Sequence, residues 1–371
     1  LAILGKRIDK AVIRKSAITP KEDGRWAQTA RFVMRRPLAV VVLSLVILSI
    51  LAAPIKNIVF SQVDSRVLPA NNPAAFASKI ISDRFPGQEG NPVEIVIPKG
   101  ALVQPEVTKY ISEVAKVDGI VRVSPPQIFG DDLRITAVHS MPPRTLKGES
   151  LIKDIREIKS PEGTLIGGIA ADYADTQIGI AKTMPWALTW IAIGVLILLF
   201  VFTGSIILPI KAVILNILSL AATLGAITWI FVDGHLRWLV GDFTVTGAVD
   251  TGSIILVAVV AFGLSMDYEL FLLSRIKEEH DAGKSNIESV AIGLQRSARI
   301  ITAAAGLLAI VFASFIISGV TSIKMLGFGV AFAILLDATL VRALLVPALM
   351  RLFGERNWWA PKSMKRFTIN H

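Results

Sequence analysis

The chain has 371 residues, 53% hydrophobic and 18% charged, with a formal net charge of +10 at pH 7 and no cysteine, and its mean hydropathy is +0.61. So much apolar content lies outside the range of soluble globular domains. The lack of cysteine excludes disulfides, thiolate metal sites and cysteine nucleophiles, and no basic stripe interleaved with aromatics points to nucleic acid.

In chain order, residues 1–37 form a basic linker with ten Lys/Arg (Lys6, Arg7, Lys10, Arg14, Lys15, Lys21, Arg25, Arg31, Arg35 and Arg36) against three acids. Leu1-Ala-Ile-Leu-Gly5 reads as the tail of a hydrophobic helix before a basic stop, so we expect a piece of a longer polypeptide. A first transmembrane helix is expected at 38–55. Residues 56–184 change to a soluble α/β pattern, and their fifteen basic and fifteen acidic residues cancel. There, Asn72-Pro73 opens a helix that Phe85-Pro86-Gly87 stops. Strands follow at 93–98, 120–124, 133–138 and 164–170, with helices at 104–117 and 147–159. This β-α-β-β-α-β order is that of a ferredoxin-like domain, one extracytoplasmic porter-like unit. A five-helix bundle is expected over 185–350, with apolar runs near 186–203, 210–232, 252–273, 300–318 and 327–350, and a basic tail over 351–371. Each run approaches the roughly 20 residues that cross a bilayer, giving six transmembrane helices in a polytopic α-helical membrane protein.

Charge sets the expected orientation. The loop 274–299 adds Arg275, Lys277, Lys284, Arg296 and Arg299, and the tail adds five more bases, whereas 233–251 has only Arg237 and 319–326 only Lys324. Both termini are therefore expected in the cytoplasm of a cell-membrane protein, with anionic lipid headgroups as partners of the basic rim. The hairpin 274–299 reads as an amphipathic segment at the membrane surface. Tryptophans 186, 190, 229, 238, 358 and 359 sit near span ends, as interfacial anchors do.

Asp267-Tyr268 falls inside the fourth run. A carboxylic acid in hydrocarbon costs about 2.5–3.5 kcal/mol on insertion scales, so its presence suggests a task performed in the membrane. On a helix Asp267 shares a face with Val260, Gly263, Leu264, Phe271 and Ser274, and Tyr268 points to the adjoining sector, so each needs a partner on another helix. A proton relay in a transporter is the expected task; the alternative is a carboxylate paired permanently to a buried cation. Glu269 either snorkels or pairs with loop bases such as Arg275 or Arg299. Asp337 and Arg342 in the last run, which Pro347 also interrupts, are five apart. That is a poor helical pairing distance, so different partners are expected for them, in a proton network or in fixed ion pairs. Asn216, Ser219 and Thr223 step down one side of the third run, which suits hydrogen bonding between helices or a polar lining.

Other chemistry finds no support. Ala282-Gly-Lys-Ser285 lacks the glycine five residues before Gly283, where Glu278 stands, so it is no phosphate-binding loop. No nucleophile–base arrangement suggests an enzyme. The four histidines are scattered, so no metal site or cofactor is implied.

Phe262-Gly-Leu-Ser-Met-Asp-Tyr-Glu-Leu-Phe-Leu-Leu-Ser-Arg-Ile-Lys-Glu-Glu279 resembles the signature of the MMPL (mycobacterial membrane protein large) family within the resistance–nodulation–division superfamily. Leu335-Leu-Asp-Ala-Thr-Leu-Val-Arg-Ala-Leu-Leu-Val-Pro-Ala-Leu-Met350, Asn357-Trp-Trp-Ala-Pro361, Leu68-Pro-Ala and Phe85-Pro-Gly also resemble family features. The resemblance implies two similar halves, each one helix, one porter domain and five helices, of which this chain resembles the second. It implies that Asp267 and Tyr268 are this half's share of a central proton relay, whose counterpart lies in a missing N-terminal half. The implied activity is proton-driven export of lipids or glycolipids toward the envelope. Efflux of hydrophobic drugs and a non-transporting accessory or sensor role are the alternatives.

Overall fold

A computed structural model describes residues 24–69, 71–85, 87–361 and 363–364. The apolar opening, the basic residues from Lys6 to Lys21, and Lys362, Lys365 and Arg366 of the tail lie outside the described residues. Six helices among the described residues are long and apolar enough to cross a membrane: Pro37–Asn57, Ile169–Thr203, Ile207–Val232, Thr251–Asp281, Asn286–Ile317 and Thr321–Trp358.

A short amphipathic helix α1 (Arg25–Arg35) precedes the first span and buries Ala27, Ala30, Val33 and Met34. The first span, α2 (Pro37–Ala52), starts at a proline, which suits a first turn because its missing N–H would find no partner there. Strand β1 (Phe60–Ser61) leaves it. Asn72 caps α3 (Pro73–Arg84) through its side chain, and the helix ends before Phe85.

The soluble part folds as β2 (Val93–Ile97), α4 (Gln104–Val114), β3 (Ile120–Val123), β4 (Gln127–Phe129), β5 (Asp132–His139), α5 (Leu146–Glu157) and β6 (Leu165–Gly167). Its path of strands is β3-β5-β2-β6, with β4 also on β5, and every pairing is antiparallel. Val93, Ile95 and Ile97 alternate inward and meet Leu133, Ile135, Tyr110, Leu151 and Ile155 in one core. The last strand is shorter than the expected 164–170. Gly168 has φ +99, and a Cβ there would lie 2.4 Å from the Pro92 carbonyl oxygen, so the chain turns at this glycine into the next helix.

That helix, α6 (Ile169–Thr203), is continuous. The expected boundary at 184/185 therefore falls inside one rod, whose start belongs to the sheet's core through Ala170, Ala171 and Ala174. The bundle continues with α7 (Ile207–Ile227), a π turn over Thr228–Val232, the short α8 (Arg237–Val240) and β7 (Val249–Asp250). Then come α9 (Thr251–Asp281), α10 (Asn286–Ser314) and α11 (Thr321–Leu336), a π-helical stretch Asp337–Leu345, and α12 (Val346–Phe353).

The segment 274–299 holds no long loop. Helices α9 and α10 run through it and leave only residues 282–285 as the turn. Glu279, 3% exposed, closes that turn by pairing with Lys284 at 2.6 Å and with Arg296. Lys324 is likewise no loop residue: it lies in α11 and donates to the Val240 carbonyl at 2.9 Å.

Candidate functional site

Helix α9 carries two opposite stripes. Ile254, Val257, Ala261, Ser265, Glu269 and Ile276 recur at three, four or seven residues and are buried. Gly252, Leu256, Val259, Gly263 and Asp267 recur at three or four and are exposed. The same periodicity that sends Ser265 and Glu269 inward therefore sends Asp267 outward. Asp267, near the middle of a membrane-length helix, is exposed and makes no hydrogen bond or ion pair among the described residues, so none of the described helices supplies the expected partner. Open space also surrounds Gly263 one turn away.

Tyr268, half-buried, does find another helix. The Arg342 guanidinium lies over its ring at 5.0 Å. Arg342 pairs with Asp337, against the expectation of different partners. On an α-helix five residues turn by about 500°, which leaves the two side chains roughly 140° apart. From Asp337 to Leu345 the helix is π, with Val346 N–H bonded to Val341 O five residues back, so side chains five apart share a face.

Ser265 joins α9 to this pair. Its hydroxyl donates to Asp337 Oδ1 at 2.8 Å, and Arg342 Nη2 donates to its carbonyl at 2.9 Å. Arg342 is 2% exposed, yet its Nε and Nη1 have no partner among the described residues. Such a buried cation is retained only where an acid answers it, and Asp337 does so.

Glu269 neither snorkels nor reaches Arg275 or Arg299. It is buried inside the bundle, where its charged neighbours are Arg342, Asp337 and Lys211. Glu269 and Lys211 line one narrow void together with Leu208, Leu215, Leu273 and Val346. The Lys211 amine donates to Asn357 Oδ1 and stands 5.0 Å above the Phe353 ring. Asn216 reaches across to α9 through the Phe262 carbonyl at 3.4 Å, an interhelical bond. Ser265 and Lys211 are members of the cluster that sequence reasoning missed. Ser265 stands four residues before Glu269, a spacing that marks a shared face; Lys211, at the edge of an apolar run, looks like any rim charge.

At the far end of α9 a second polar knot ties the sheet to the bundle. Gln177 of α6 donates to Thr251 Oγ1 at 3.1 Å, which donates to the Ser61 carbonyl at 3.1 Å, while Tyr173 donates to the Phe60 carbonyl at 3.0 Å. Beside it β1 and β7 pair in parallel.

Six membrane-length apolar helices, with an acid, a base and their polar neighbours enclosed between them, define a multi-pass membrane protein. The chain belongs to the MMPL family, which it matches over residues 142–369. It is 36% identical over 370 residues to a putative membrane protein of Streptomyces coelicolor, covering 99% of this chain and 50% of that one. It is 33% identical over 363 residues to the trehalose monomycolate exporter MmpL3 of Mycobacterium tuberculosis, covering 93% and 38% respectively. With the mycolic acid-containing lipids exporter MmpL11 of Mycolicibacterium smegmatis it shares 32% over 352 residues, 91% of this chain and 37% of the relative. The chain thus spans half or less of the length of these relatives, and the two mycobacterial ones are named as exporters, not enzymes.

Proposed function

We propose that the chain is one half of a proton-driven exporter that carries lipids or other hydrophobic molecules to the cell envelope. The observation that carries this reading is Asp267: an ionisable group midway along a spanning helix, next in sequence to Tyr268, whose ring meets Arg342 of the Arg342–Asp337 pair, and with no partner among the described residues. A second bundle, the missing N-terminal half, covers the exposed stripe and supplies that partner. Asp267 and Tyr268 then form this half's relay, and Asp337, Arg342 and Glu269 are the charges that answer its changes. A lipid cargo is favoured by the names of the mycobacterial relatives. One proton crossing the membrane provides about 2.3 kcal/mol per 100 mV, enough for one or two protons to drive a switch of a few kcal/mol.

In this reading residues 56–184 are the extracytoplasmic porter-like domain. The all-antiparallel order β3-β5-β2-β6, with α4 and α5 as its crossovers, supports a ferredoxin-like unit. Residues 1–37 and 351–371 lie on the cytoplasmic side, where their bases meet anionic lipid. The test is lipid transfer by the full-length protein in proteoliposomes. Transfer should require an imposed proton gradient and stop when an ionophore collapses it; transfer indifferent to the gradient would reject the proposal.

A further inference from the structure

We infer that Pro347 is the positioning residue of the Asp337–Arg342 pair: by denying the helix one hydrogen bond it keeps the preceding segment in the wide π form that brings side chains five apart onto one face. The inference deepens the proposed relay, but the geometry does not depend on any transport activity.

The wide stretch ends at Leu345, and α form resumes at Val346 with Pro347 as its second residue, itself buried. In an uninterrupted α-helix the nitrogen of residue 347 would donate to the Ala343 carbonyl. Proline has no N–H to give, and its ring would clash with that carbonyl. One extra residue in the turn moves the carbonyl aside. Inside a membrane this matters more than in water, because freed backbone groups must be re-satisfied by local π or 3₁₀ adjustment. The consequence for the side chains is direct. If the stretch relaxed to α, Arg342 would swing roughly 140° from Asp337 and leave Ser265 and Tyr268.

A π turn is an α-helix with one residue inserted. Removing one residue from the stretch therefore restores α geometry with both flanks in register. It also sets Asp337 and Arg342 four apart, the distance at which an α-helix pairs them. Thr339 is the residue to remove, since it is exposed and bonds only the Leu335 carbonyl of its own helix.

The experiment uses the full-length protein and compares Pro347→Ala with Pro347→Ala plus deletion of Thr339, each by high-resolution structure and by proton-coupled transport. In Pro347→Ala, Val346 N–H should shift its bond from Val341 O to Arg342 O, Arg342 should leave Asp337, and transport should fall by about tenfold or more. The added deletion should return Arg342 to Asp337 and restore transport. Persistence of the π stretch and the ion pair in Pro347→Ala overturns the inference, as does a rearrangement that the deletion fails to reverse. Should Pro347→Ala not assemble, deletion of Thr339 with Pro347 kept decides the matter: a stretch that stays π ahead of the proline supports the inference, and a stretch that turns α-helical up to Pro347 overturns it. Absence of transport in the wild type counts against the exporter reading alone, because the structures still read the helix form.

Discussion

The guanidinium carbon of Arg342 stands 5.0 Å from the centroid of the Tyr268 ring, so the last span holds the aromatic side chain that follows Asp267 in the sequence. Two roles of Tyr268 separate by substitution. Tyr268→Phe keeps the ring and should leave the melting temperature in detergent unchanged, while removing the hydroxyl that a relay needs and so abolishing proton-coupled transport. Tyr268→Leu should lose both, with a stability cost of about 0.5–2 kcal/mol. Equal transport in wild type and Tyr268→Phe would remove the hydroxyl from the relay.

The Asp337–Arg342 pair is buried at both ends, 6% and 2% exposed. Asp337→Leu leaves Arg342 charged and unanswered, and should destabilise the protein by about 3–5 kcal/mol. The double change Asp337→Leu with Arg342→Met should recover most of that stability without recovering transport. Thermal unfolding of the single and double variants checks this; equal melting of the two would mean that Glu269 or another acid already answers Arg342.

Two glycines distinguish contacts within this chain from contacts with a second bundle. A Cβ on Gly225 would stand 2.2 Å from the Leu51 carbonyl oxygen, where α7 crosses α2, whereas a Cβ on Gly263 meets nothing within 4 Å. Gly225→Ala should therefore destabilise any form of the protein by about 1–3 kcal/mol. Gly263→Leu should be harmless to this chain's own packing but, with the proposed second bundle over the stripe, should disrupt the full-length protein. Normal assembly and transport in full-length Gly263→Leu would argue against cover at that face.

In the sheet, His139 is fully buried, with Nε2 3.0 Å from the Asn91 carbonyl. Burial holds its pKa below the ordinary 6.5, outweighing the backbone hydrogen bonds that raise it. With the folded value depressed, the unfolded chain takes up the proton first. The contribution to stability is thus intact above 6.5 and is lost as pH falls from there toward the folded value. Unfolding monitored between pH 7 and about 5 should show this loss, and His139→Gln should flatten it. An unchanged slope in the variant would place the acid sensitivity elsewhere.

The spanning runs were legible because hydrocarbon demands apolar side chains along the whole crossing. Each of the six expected runs overlaps one of the six apolar helices. Their ends were not legible, because α9 and α10 continue past the apolar stretch and are joined there by Glu279, Lys284 and Arg296. The sheet's inward alternation at Val93, Ile95 and Ile97 marked β2, but Gln127, Ile128 and Phe129 of β4 are all exposed and give no alternation to read. For the site, the residue types announced themselves: acids and a base in apolar runs. Which of them meet did not. The 100° rule separated Asp337 from Arg342, and only the π stretch reunites them. The same rule kept Asp267 and Tyr268 in adjoining sectors, and there it holds.

In the proposed cycle Asp267 exchanges a proton while cargo crosses. Proton uptake recorded with a pH-sensitive dye, simultaneously with lipid transfer by the full-length protein in proteoliposomes, tests it most directly when wild type is set against Asp267→Asn. Both signals should rise together in the wild type and both should vanish in Asp267→Asn, with folding intact by melting temperature. Proton-coupled transfer at the wild-type rate in Asp267→Asn would contradict it.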